Sequence, residues 1–364
     1  MTSRERIKIT LNHKEPDRVP ILDGPWDSTI ERWKKEGLPP DCKVSDYFGY
    51  EINTIYPDIS LQFPYEILKE DDEYIVERNI YGEIIKNHKN RSTTPLILDN
   101  SIKSKKDWDE LKGKLKVNNE RGLTRGALEV DKIISLNEGL KDFKENYKSG
   151  KYILYTSMTG LDLAQRYVGQ ERVLMAIATE PEWIKDMILT NAKFIIEMYE
   201  YLCSKGFKFD GAWILDDLGY RNASLISPRH YKEIIFNADK LICDYFHDKN
   251  MKVFLHSCGC VKELIPYFIE AGIDCLQPLE VKAGMDLIEL KKKYGDEMTF
   301  MGGIDARLYS NSDPKLIEEE IKTKFEMAKV NGGYIYHSDH SVPNVVSLSQ
   351  YEKVLQIVRK YGSY

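Results

Sequence analysis

The chain has 364 residues, of which 42% are hydrophobic and 30% are charged, and this balance excludes disordered and collagen-like proteins. Its 52 basic and 58 acidic residues give a formal net charge of -6, and the basic residues form no extended tract. We therefore expect no nucleic-acid partner.

The hydrophobic residues are spread along the chain and do not gather in long blocks. No segment approaches the roughly 18 consecutive apolar residues of a membrane span, and the first twenty residues contain no apolar block like that of a signal sequence. We expect a cytoplasmic protein without a membrane partner. The six cysteines are few for this length, so they are interpreted as thiols, some of them candidate metal ligands, and not as a disulfide framework.

The first third of the chain contains two kinds of pattern. Residues 19–22 are predicted as a short strand that ends at an aspartate. Residues 50–130 differ from the rest, and within them 74–76 and 81–86 are predicted as a hairpin inserted into the main fold. The highly charged residues 103–116 are typical of a solvated surface helix.

From about residue 150 onward, short apolar runs end in polar residues and are followed by stretches with helical spacing. The predicted strands are 152–156, 212–215, 253–255, 273–279, 298–301 and 334–336. The predicted helices are 181–205, 261–271, a stretch from 313 to before 332, and 348–361. Strands that alternate with helices indicate parallel βα units.

Both an open doubly wound sheet and a closed barrel satisfy this alternation. The polar strand ends favour the barrel, because its active site is assembled from the carboxyl ends of many strands, whereas a doubly wound sheet concentrates its chemistry near one switch point. We therefore predict an α/β fold, a (β/α)8 TIM barrel with an N-terminal extension and an inserted hairpin. We expect it to form a single domain over residues 1–364.

The sharpest candidate site is the run His256-Ser257-Cys258 at the end of a predicted strand. Residues two apart on a strand point to the same side, so the imidazole and the thiol would project together into the barrel mouth. Zinc accepts both kinds of ligand, and a catalytic zinc usually has three protein ligands and one open position. The pair therefore predicts a zinc site that needs one further ligand.

His340, which ends the last predicted strand, is the strongest candidate for that third ligand. Cys260 could compete with Cys258, but it is expected to lie past the strand, in the turn before the next helix. His337 should face elsewhere if the strand is still extended. The predicted zinc ligands are thus His256, Cys258 and His340.

Polar residues at other strand ends are candidates for catalysis and substrate binding. Asp216 is favoured for the mouth because alternation places it on the face of Ala212 and Ile214, and an assignment shifted by one residue would place Asp217 there instead. Glu280 is predicted as a fourth zinc ligand or as an acid or base. Asp216 and Glu280 are the predicted catalytic residues. The predicted substrate-binding residues are Asp23, Gln277 and Asp305.

Five stretches of sequence carry a family resemblance, and they are spread over most of the chain. They read SRERIKITLNHKEPDRVPI, DDLGYRNASLISPRHYKEII, HSCGCVKELIPYFIEAGIDCLQPLE, MTFMGGIDA and GGYIYHSDHSVPNV. In them the sequence resembles the uroporphyrinogen decarboxylase superfamily, from about residue 3 to the C-terminus. The resemblance implies a (β/α)8 barrel whose site lies at the carboxyl ends of the strands.

Two branches of that superfamily imply different activities. True uroporphyrinogen decarboxylases act without a metal or cofactor and bind an acidic tetrapyrrole through arginines placed just after the first strand. This chain has Asp23 and Asp27 in that segment, and Arg32 is the first cation there that could serve. Carboxylates would repel a polycarboxylate substrate, so cofactor-free decarboxylation is the alternative interpretation.

The other branch contains zinc methyltransferases that exchange a methyl group with a corrinoid protein. The sequence is similar to them in His256 and Cys258, and the third cysteine ligand of the coenzyme M enzymes falls on His340 by position. The resemblance implies a bound zinc ion and a corrinoid carried by a partner protein, since no Asp-x-His-x-x-Gly element for binding cobalamin is present. The predicted function is zinc-dependent methyl transfer between a small-molecule thiol or methyl ether and that corrinoid protein.

Overall fold

A sheet of parallel strands forms the centre of the protein, and helices pack on its outer face. The computed structural model describes residues 1–89, 94–126, 133–311 and 313–364. The strands are β1 (Ile52–Pro57), β2 (Glu66–Glu70), β3 (Tyr74–Arg78), β4 (Glu83–His88), β5 (Leu96–Asn100), β6 (Leu123–Thr124), β7 (Tyr152–Met158), β8 (Gly211–Leu215), β9 (Lys252–His256), β10 (Cys275–Gln277), β11 (Thr299–Met301) and β12 (Tyr334–Ile335). The helices are α1 (Ser3–Leu11), α2 (Asp27–Lys35), α3 (Val44–Tyr47), α4 (Lys105–Leu111), α5 (Leu136–Lys148), α6 (Gly160–Val168), α7 (Gln170–Thr179), α8 (Pro181–Ser204), α9 (Pro228–His230), α10 (Phe236–His247), α11 (Ile265–Ala271), α12 (Leu287–Tyr294), α13 (Pro314–Ala328) and α14 (Leu348–Gly362).

The central sheet has the strand order β12-β11-β10-β9-β8-β7-β1-β6. The pairs between β1 and β12 in this order are parallel, and the short β6 is antiparallel to β1. The strands predicted beyond residue 150 are all present in it, as β7 to β12. The alternation of apolar runs and helical spacing therefore identified these βα units correctly.

Residues 19–22 close the sheet into a barrel. Ile21 bridges Tyr336 in parallel, and the amide of Tyr336 donates to the carbonyl of Pro20 at 2.9 Å. On the other side, the amide of Glu51 donates to the carbonyl of Ile21 at 3.0 Å. The segment lies between β12 and β1, and it is the eighth parallel strand in the described part of the chain. Because it joins the two ends of the sheet, the predicted (β/α)8 barrel is confirmed.

Side chains inside the barrel form an apolar cluster separate from the larger core under the helices. Along β8, Trp213 and Leu215 point inward, and the alternate residues pack outward. The inner cluster consists of Ile7, Leu11, Ile52, Tyr152, Leu154, Trp213, Leu215, Phe254, Cys275, Met301 and Ile335. Ile7 and Leu11 come from α1, whose Thr10 carbonyl accepts the amide of Gly333 just before β12. The N-terminal helix thus fills the amino end of the barrel, and the carboxyl ends of the strands surround the open end.

The range predicted as an insertion, residues 50–130, contains both a barrel strand and an added sheet. β1 pairs in parallel with β7, so the added part begins after Pro57 and not at about residue 50. The predicted hairpin forms the middle of a four-stranded antiparallel sheet in the order β2-β3-β4-β5. Residues 90–93 and 127–130 of this range lie outside the described residues.

The surface helix predicted over residues 103–116 is shorter and only partly solvated. It forms α4, in which Trp108 is buried. The indole N–H of Trp108 donates to Asp186 at 2.7 Å. One face of the helix is therefore tied to α8, and its charged side chains lie on the other.

The remaining predicted helices differ from the observed ones at their ends. α8 and α14 match the predictions to within one residue. α11 begins four residues later than predicted, and α13 ends several residues earlier. In the described parts of the chain, no helix combines the length and the apolar character that crossing a bilayer requires.

Candidate metal centre at the barrel mouth

A cavity of about 410 Å³ opens between the carboxyl ends of the barrel strands. Its lining combines aromatic and apolar side chains with carboxylates, histidines and a cysteine. The lining residues are Trp26, Tyr56, Met158, Asp162, Trp213, Leu215, Asp217, His256, Cys258, Gln277, Pro278, His337, His340 and Ser341. A crevice of about 460 Å³ beside β1 and α5 has no histidine or cysteine in its described lining, so the mouth is the candidate site.

Asp217, His256 and Cys258 bring three metal-binding atoms together in this cavity. His256 ends β9, and two residues later the amide of Cys258 donates to Oδ1 of Asp217 at 2.9 Å. Nε2 of His256 lies 3.3 Å from Sγ of Cys258 and 3.4 Å from Oδ1 of Asp217. An imidazole, a thiol and a carboxylate are all ligands that zinc accepts.

Gln277 lies opposite His256 in the register of β9 and β10 and fixes the orientation of the imidazole. Nδ1 of His256 lies 2.5 Å from Oε1 of Gln277, and the amide nitrogen of Gln277 lies 3.4 Å from Nε2 of His337. Because an amide oxygen can only accept, Nδ1 of His256 carries a proton. Nε2 is then the ring atom that faces Cys258 and Asp217.

Charges within this group shift the pKa values of its members. Burial opposes ionisation of His256, but Cys258 and Asp217 outweigh it and raise the imidazole pKa well above its usual value. Burial also opposes ionisation of Asp217, yet the hydrogen bond and the charge of His256 lower the carboxyl pKa. Burial raises the pKa of the Cys258 thiol, so the carboxylate of Asp217 is the anion that holds the proton on Nε2 of His256, in the place that a metal cation would take.

A second group of donors shares Cys258 with the first. Donor atoms of Cys258, Glu280 and His340 all lie within 4.8 Å of one another, as do those of Asp217, His256 and Cys258. Among the described residues, these are the two groups of three that satisfy this criterion. The predicted trio of His256, Cys258 and His340 is therefore divided between two neighbouring groups.

Glu280 and His340 are the other two members of this second group. Oε1 of Glu280 accepts the amide of Gly259 at 3.1 Å, and Oε2 lies 3.4 Å from Nζ of Lys282. Burial lowers the pKa of His340, and the charge of Glu280 offsets this only in part. The imidazole of His340 is therefore neutral at pH 7 and has a lone pair available for a cation.

Asp216 does not face the mouth, and its neighbour Asp217 does. On the inner face of β8, Trp213 and Leu215 are followed by Asp217, which lines the cavity. Asp216 lies on the outer side and is fully buried, and its Oδ1 accepts the amide of Asp162 at 2.8 Å. Burial and the nearby Asp239 raise the pKa of Asp216 well above its usual value. The predicted face was wrong because both faces of β8 are apolar, so its pattern does not distinguish inside from outside.

His337 lines the cavity together with His340, although alternation predicts that it faces elsewhere. β12 ends at Ile335, and Nδ1 of His337 donates to the carbonyl of Ser338 at 2.7 Å. The extended conformation therefore stops before His340, and the two rings reach the same cavity.

Asp23 and Asp305, both predicted to bind substrate, are not among the lining residues. Asp23 is buried and accepts hydrogen bonds from the hydroxyl of Tyr351 at 2.9 Å and from Oγ of Ser338 at 2.5 Å. It therefore fixes the segment that carries His337. Asp305 accepts from the guanidinium of Arg307 at 2.6 Å, so its charge is paired outside the cavity.

The cavity also contains side chains that the sequence analysis does not single out. Asp162 lies in the first turn of α6, and burial and the nearby Asp217 raise its pKa to about 6. Trp26 is 44% exposed, and its ring centroid lies 6.2 Å from that of His340. Asp162 could have been found as a carboxylate just past a strand end, whereas no pattern in the sequence marks Trp26.

The chain is similar to solved structures at low sequence identity. A methyltransferase from Methanosarcina mazei superposes with a TM-score of 0.68 at 15% identity, over 99% of this chain and 99% of that chain. A B12-independent methionine synthase from Shewanella sp. W3-18-1 gives a TM-score of 0.47 at 11% identity, over 95% of this chain and 93% of that chain. At 15% identity the first likeness concerns the fold alone.

Sequence comparison identifies the family. A comparison with curated protein sequences gives no match. The family model described as uroporphyrinogen decarboxylase (URO-D) matches residues 149–361, which are more than half of the chain and include strands β7 to β12. The chain therefore belongs to the uroporphyrinogen decarboxylase family.

Proposed function

We propose that this protein is a zinc-dependent methyltransferase, which exchanges a methyl group between a small-molecule thiol or methyl ether and a corrinoid on a partner protein. The observation that carries the proposal is the convergence of Nε2 of His256 with Sγ of Cys258 at 3.3 Å and with Oδ1 of Asp217 at 3.4 Å. The structural neighbour from Methanosarcina mazei is described as a methyltransferase, which agrees with this proposal.

The two separations from Nε2 of His256 fit ligands of one tetrahedral ion. With zinc bonds of roughly 2.0–2.1 Å to nitrogen or oxygen and 2.3 Å to sulfur, neighbouring ligand atoms lie about 3.4–3.6 Å apart. The separations around His256 differ from this by only a few tenths of an ångström. His256, Cys258 and Asp217 would hold zinc, and His340, which is grouped with Cys258 and Glu280, would be the alternative third ligand.

When bound, zinc would lower the pKa of a coordinated thiol or polarise a methyl ether oxygen. Gln277 would keep Nε2 of His256 directed at the ion. Glu280, whose Oε1 accepts the amide of Gly259, would take up the proton that a substrate thiol releases, as predicted for a catalytic residue. Met158 and Leu215 provide an apolar wall that excludes water from this side of the cavity.

The corrinoid would reach the open end of the barrel on a partner protein. α1 fills the amino end, so the mouth is the side from which a large group can approach. Trp26 and Tyr220 lie on loops at the mouth and are 44% and 66% exposed. Aromatic residues are enriched in the surfaces that partner proteins cover.

Decarboxylation of an acidic tetrapyrrole is not supported by the cavity. Such a substrate needs cations beside its carboxylates, and the described lining contains Asp162 and Asp217 but no lysine or arginine.

Elemental analysis of protein purified without chelators tests the proposal. We expect close to one zinc per chain, and Cys258→Ala should lose it because the thiolate is common to both donor groups. Cys260→Ala is the matched control on the same loop, since Cys260 belongs to neither group, and it should keep its zinc. Zinc absent from the unaltered protein, or retained by Cys258→Ala, would overturn the proposed site.

Metal content must be followed by an activity measurement. The zinc-loaded protein should transfer methyl groups between a thiol or methyl ether and a free methylcobalamin or cob(I)alamin probe, and the Cys258→Ala variant should not. If the variant transfers methyl groups at the unaltered rate, zinc is not required for the reaction.

A further inference from the structure

The cavity at the barrel mouth has an unbalanced charge. Asp162 and Asp217 both line it, and within the described lining no lysine or arginine accompanies them. Its histidines, His256, His337 and His340, are the only basic side chains that the described lining offers. Asp217 lies beside His256, whereas Asp162 has no cationic partner within the described lining.

Two cations that follow cavity or donor residues in the chain, Arg166 and Lys282, are engaged by other carboxylates. Nη1 of Arg166, one turn along α6 from Asp162, lies 3.0 Å from Glu83 in an ion pair that is mostly buried. Nζ of Lys282 lies 3.4 Å from Glu280 and is itself half exposed. Neither cation lines the cavity, so neither compensates its carboxylates by direct contact with a ligand.

A bound zinc ion would not reverse this imbalance. Its two positive charges would be matched by the thiolate of Cys258 and the carboxylate of Asp217, both of which lie beside Nε2 of His256. Asp162 would remain as an unmatched anion on the α6 side of the cavity.

The aromatic part of the lining suits a positively charged group. Trp26, Tyr56 and Trp213 line the cavity together with Met158. Tryptophan and tyrosine faces attract cations, and ammonium groups are commonly held by such rings. The buried indole N–H of Trp213 has no partner among the described residues, and it can donate to a neutral oxygen at the other end of a ligand.

We infer that the small molecule bound in this cavity carries an ammonium group near its thiol or ether, and is not an anion. The inference rests on the proposed function in taking this cavity as the substrate site. The aromatic rings and Asp162 would hold the ammonium group, while the metal-binding side of the cavity would hold the thiol or ether. An anionic tail in the same place would meet Asp162 without a compensating cation.

Calorimetric titration with matched probes tests this inference. Choline carries a quaternary ammonium group, 3,3-dimethylbutan-1-ol is its uncharged carbon isostere, and ethanesulfonate supplies the opposite charge on a small chain. We expect choline to bind at least tenfold more tightly than the isostere, and ethanesulfonate to bind most weakly. Equal binding of choline and its isostere, or preferential binding of ethanesulfonate, would overturn the inference.

Two variants assign the preference to this cavity. Asp162→Asn should reduce the choline preference several-fold, and Trp26→Leu should weaken choline binding about two- to fivefold, the effect of one exposed ring. Asp27→Asn is the matched control, because Asp27 is exposed next to Trp26 but does not line the cavity. A preference that survives both variants would place the cation elsewhere and contradict the inference.

The titrations are repeated on zinc-loaded and chelator-treated protein, with the zinc content measured in each sample. If zinc is present and choline is not preferred, this inference fails and the proposed zinc site stands. If zinc is absent and choline is still preferred, the proposed function fails and the cation preference of the cavity stands.

Discussion

Nδ1 of His256 lies 2.5 Å from Oε1 of Gln277, and the register of β9 and β10 places these two residues directly opposite each other. The contact is therefore set by the backbone and does not depend on a mobile loop. It fixes which nitrogen of His256 is protonated and leaves Nε2 directed at Cys258 and Asp217. In metal sites, a partner of this kind orients the ligand and strengthens its binding.

Substitution of Gln277 should therefore weaken the metal site without removing a ligand. For Gln277→Leu we expect a loss of zinc affinity of roughly 10- to 100-fold, measured by competition with a chromogenic chelator. Gln277→Glu keeps an oxygen that can accept from Nδ1 of His256, so it should retain most of the affinity. Equal affinities in all three proteins would show that Gln277 does not orient His256.

The adjacent carboxylates Asp216 and Asp217 should behave differently when each is replaced by asparagine. Asp217→Asn replaces a negatively charged candidate zinc ligand, whose Oδ1 lies 3.4 Å from Nε2 of His256, with a neutral amide. We expect zinc affinity to fall at least about tenfold. Asp216→Asn should leave it nearly unchanged, because the new amide oxygen can still accept the amide of Asp162 on the outer face of β8. The same competition assay compares both variants, and a larger loss in Asp216→Asn would refute the assignment of faces.

Gly160 sits where the buried carboxylate of Asp216 leaves no room for a side chain. Its φ is +54°, and an added Cβ would overlap Oδ2 of Asp216. We expect Gly160→Ala to lower the free energy of unfolding by about 2 kcal/mol or more, from backbone strain and overpacking together. Urea denaturation measures this, with Gly113→Ala as the control, since a Cβ at Gly113 meets no atom within 4 Å. Similar losses in both variants would contradict this account.

The barrel strands were predictable to the extent that their sequences are apolar on both faces. β7 to β12 are short apolar runs between helices, and parallel strands covered on both faces have this pattern. β1 escaped prediction because its sequence, INTIYP, interrupts the apolar run with Asn53 and Thr54, which are only half-buried. The end of β1 also pairs with the short antiparallel β6, which the alternation of strands and helices does not predict.

The candidate site was predictable only where the polar residues themselves define the inner face. His256 and Cys258 are two apart, and each lies in the cavity as alternation requires. Asp216 and Asp217 are adjacent, so the choice between them depended on strand residues that are apolar on either side. The positions of His337 and His340 depend on where β12 ends, which alternation does not specify.

Asp216 and Asp239 are two buried carboxylates on the far side of β8 from the cavity. Asp239, on α10, accepts the hydroxyl of Tyr231 at 2.6 Å, but its Oδ1 has no partner in the described structure. Oδ2 of Asp216 is likewise buried and unpartnered. Burial raises the pKa of Asp239 from an ordinary value of 3.8 to about 7, with the hydrogen bond from Tyr231 offsetting only part of the effect.

This shift should make the folded protein less stable as the pH rises from about 4 to 7. Over that range an unfolded chain releases the proton of Asp239 while the folded protein retains it, so the free energy of unfolding falls by up to about 1.4 kcal/mol per pH unit from this group. The amide introduced by Asp239→Asn has no proton to release and can still accept from Tyr231, so the variant lacks this loss. The free energy of unfolding of the variant minus that of the unaltered protein should therefore increase from about pH 4 to 7 and level off above pH 7. Urea denaturation of chelator-treated protein between pH 4.5 and 8 measures the difference without a contribution from metal binding.

Asp244→Asn, which removes an exposed carboxylate of the same helix, is the control and should show a nearly constant difference. A constant difference for Asp239→Asn as well would mean that Asp239 is ionised in the folded protein throughout, and that water or a neighbouring donor reaches its second oxygen.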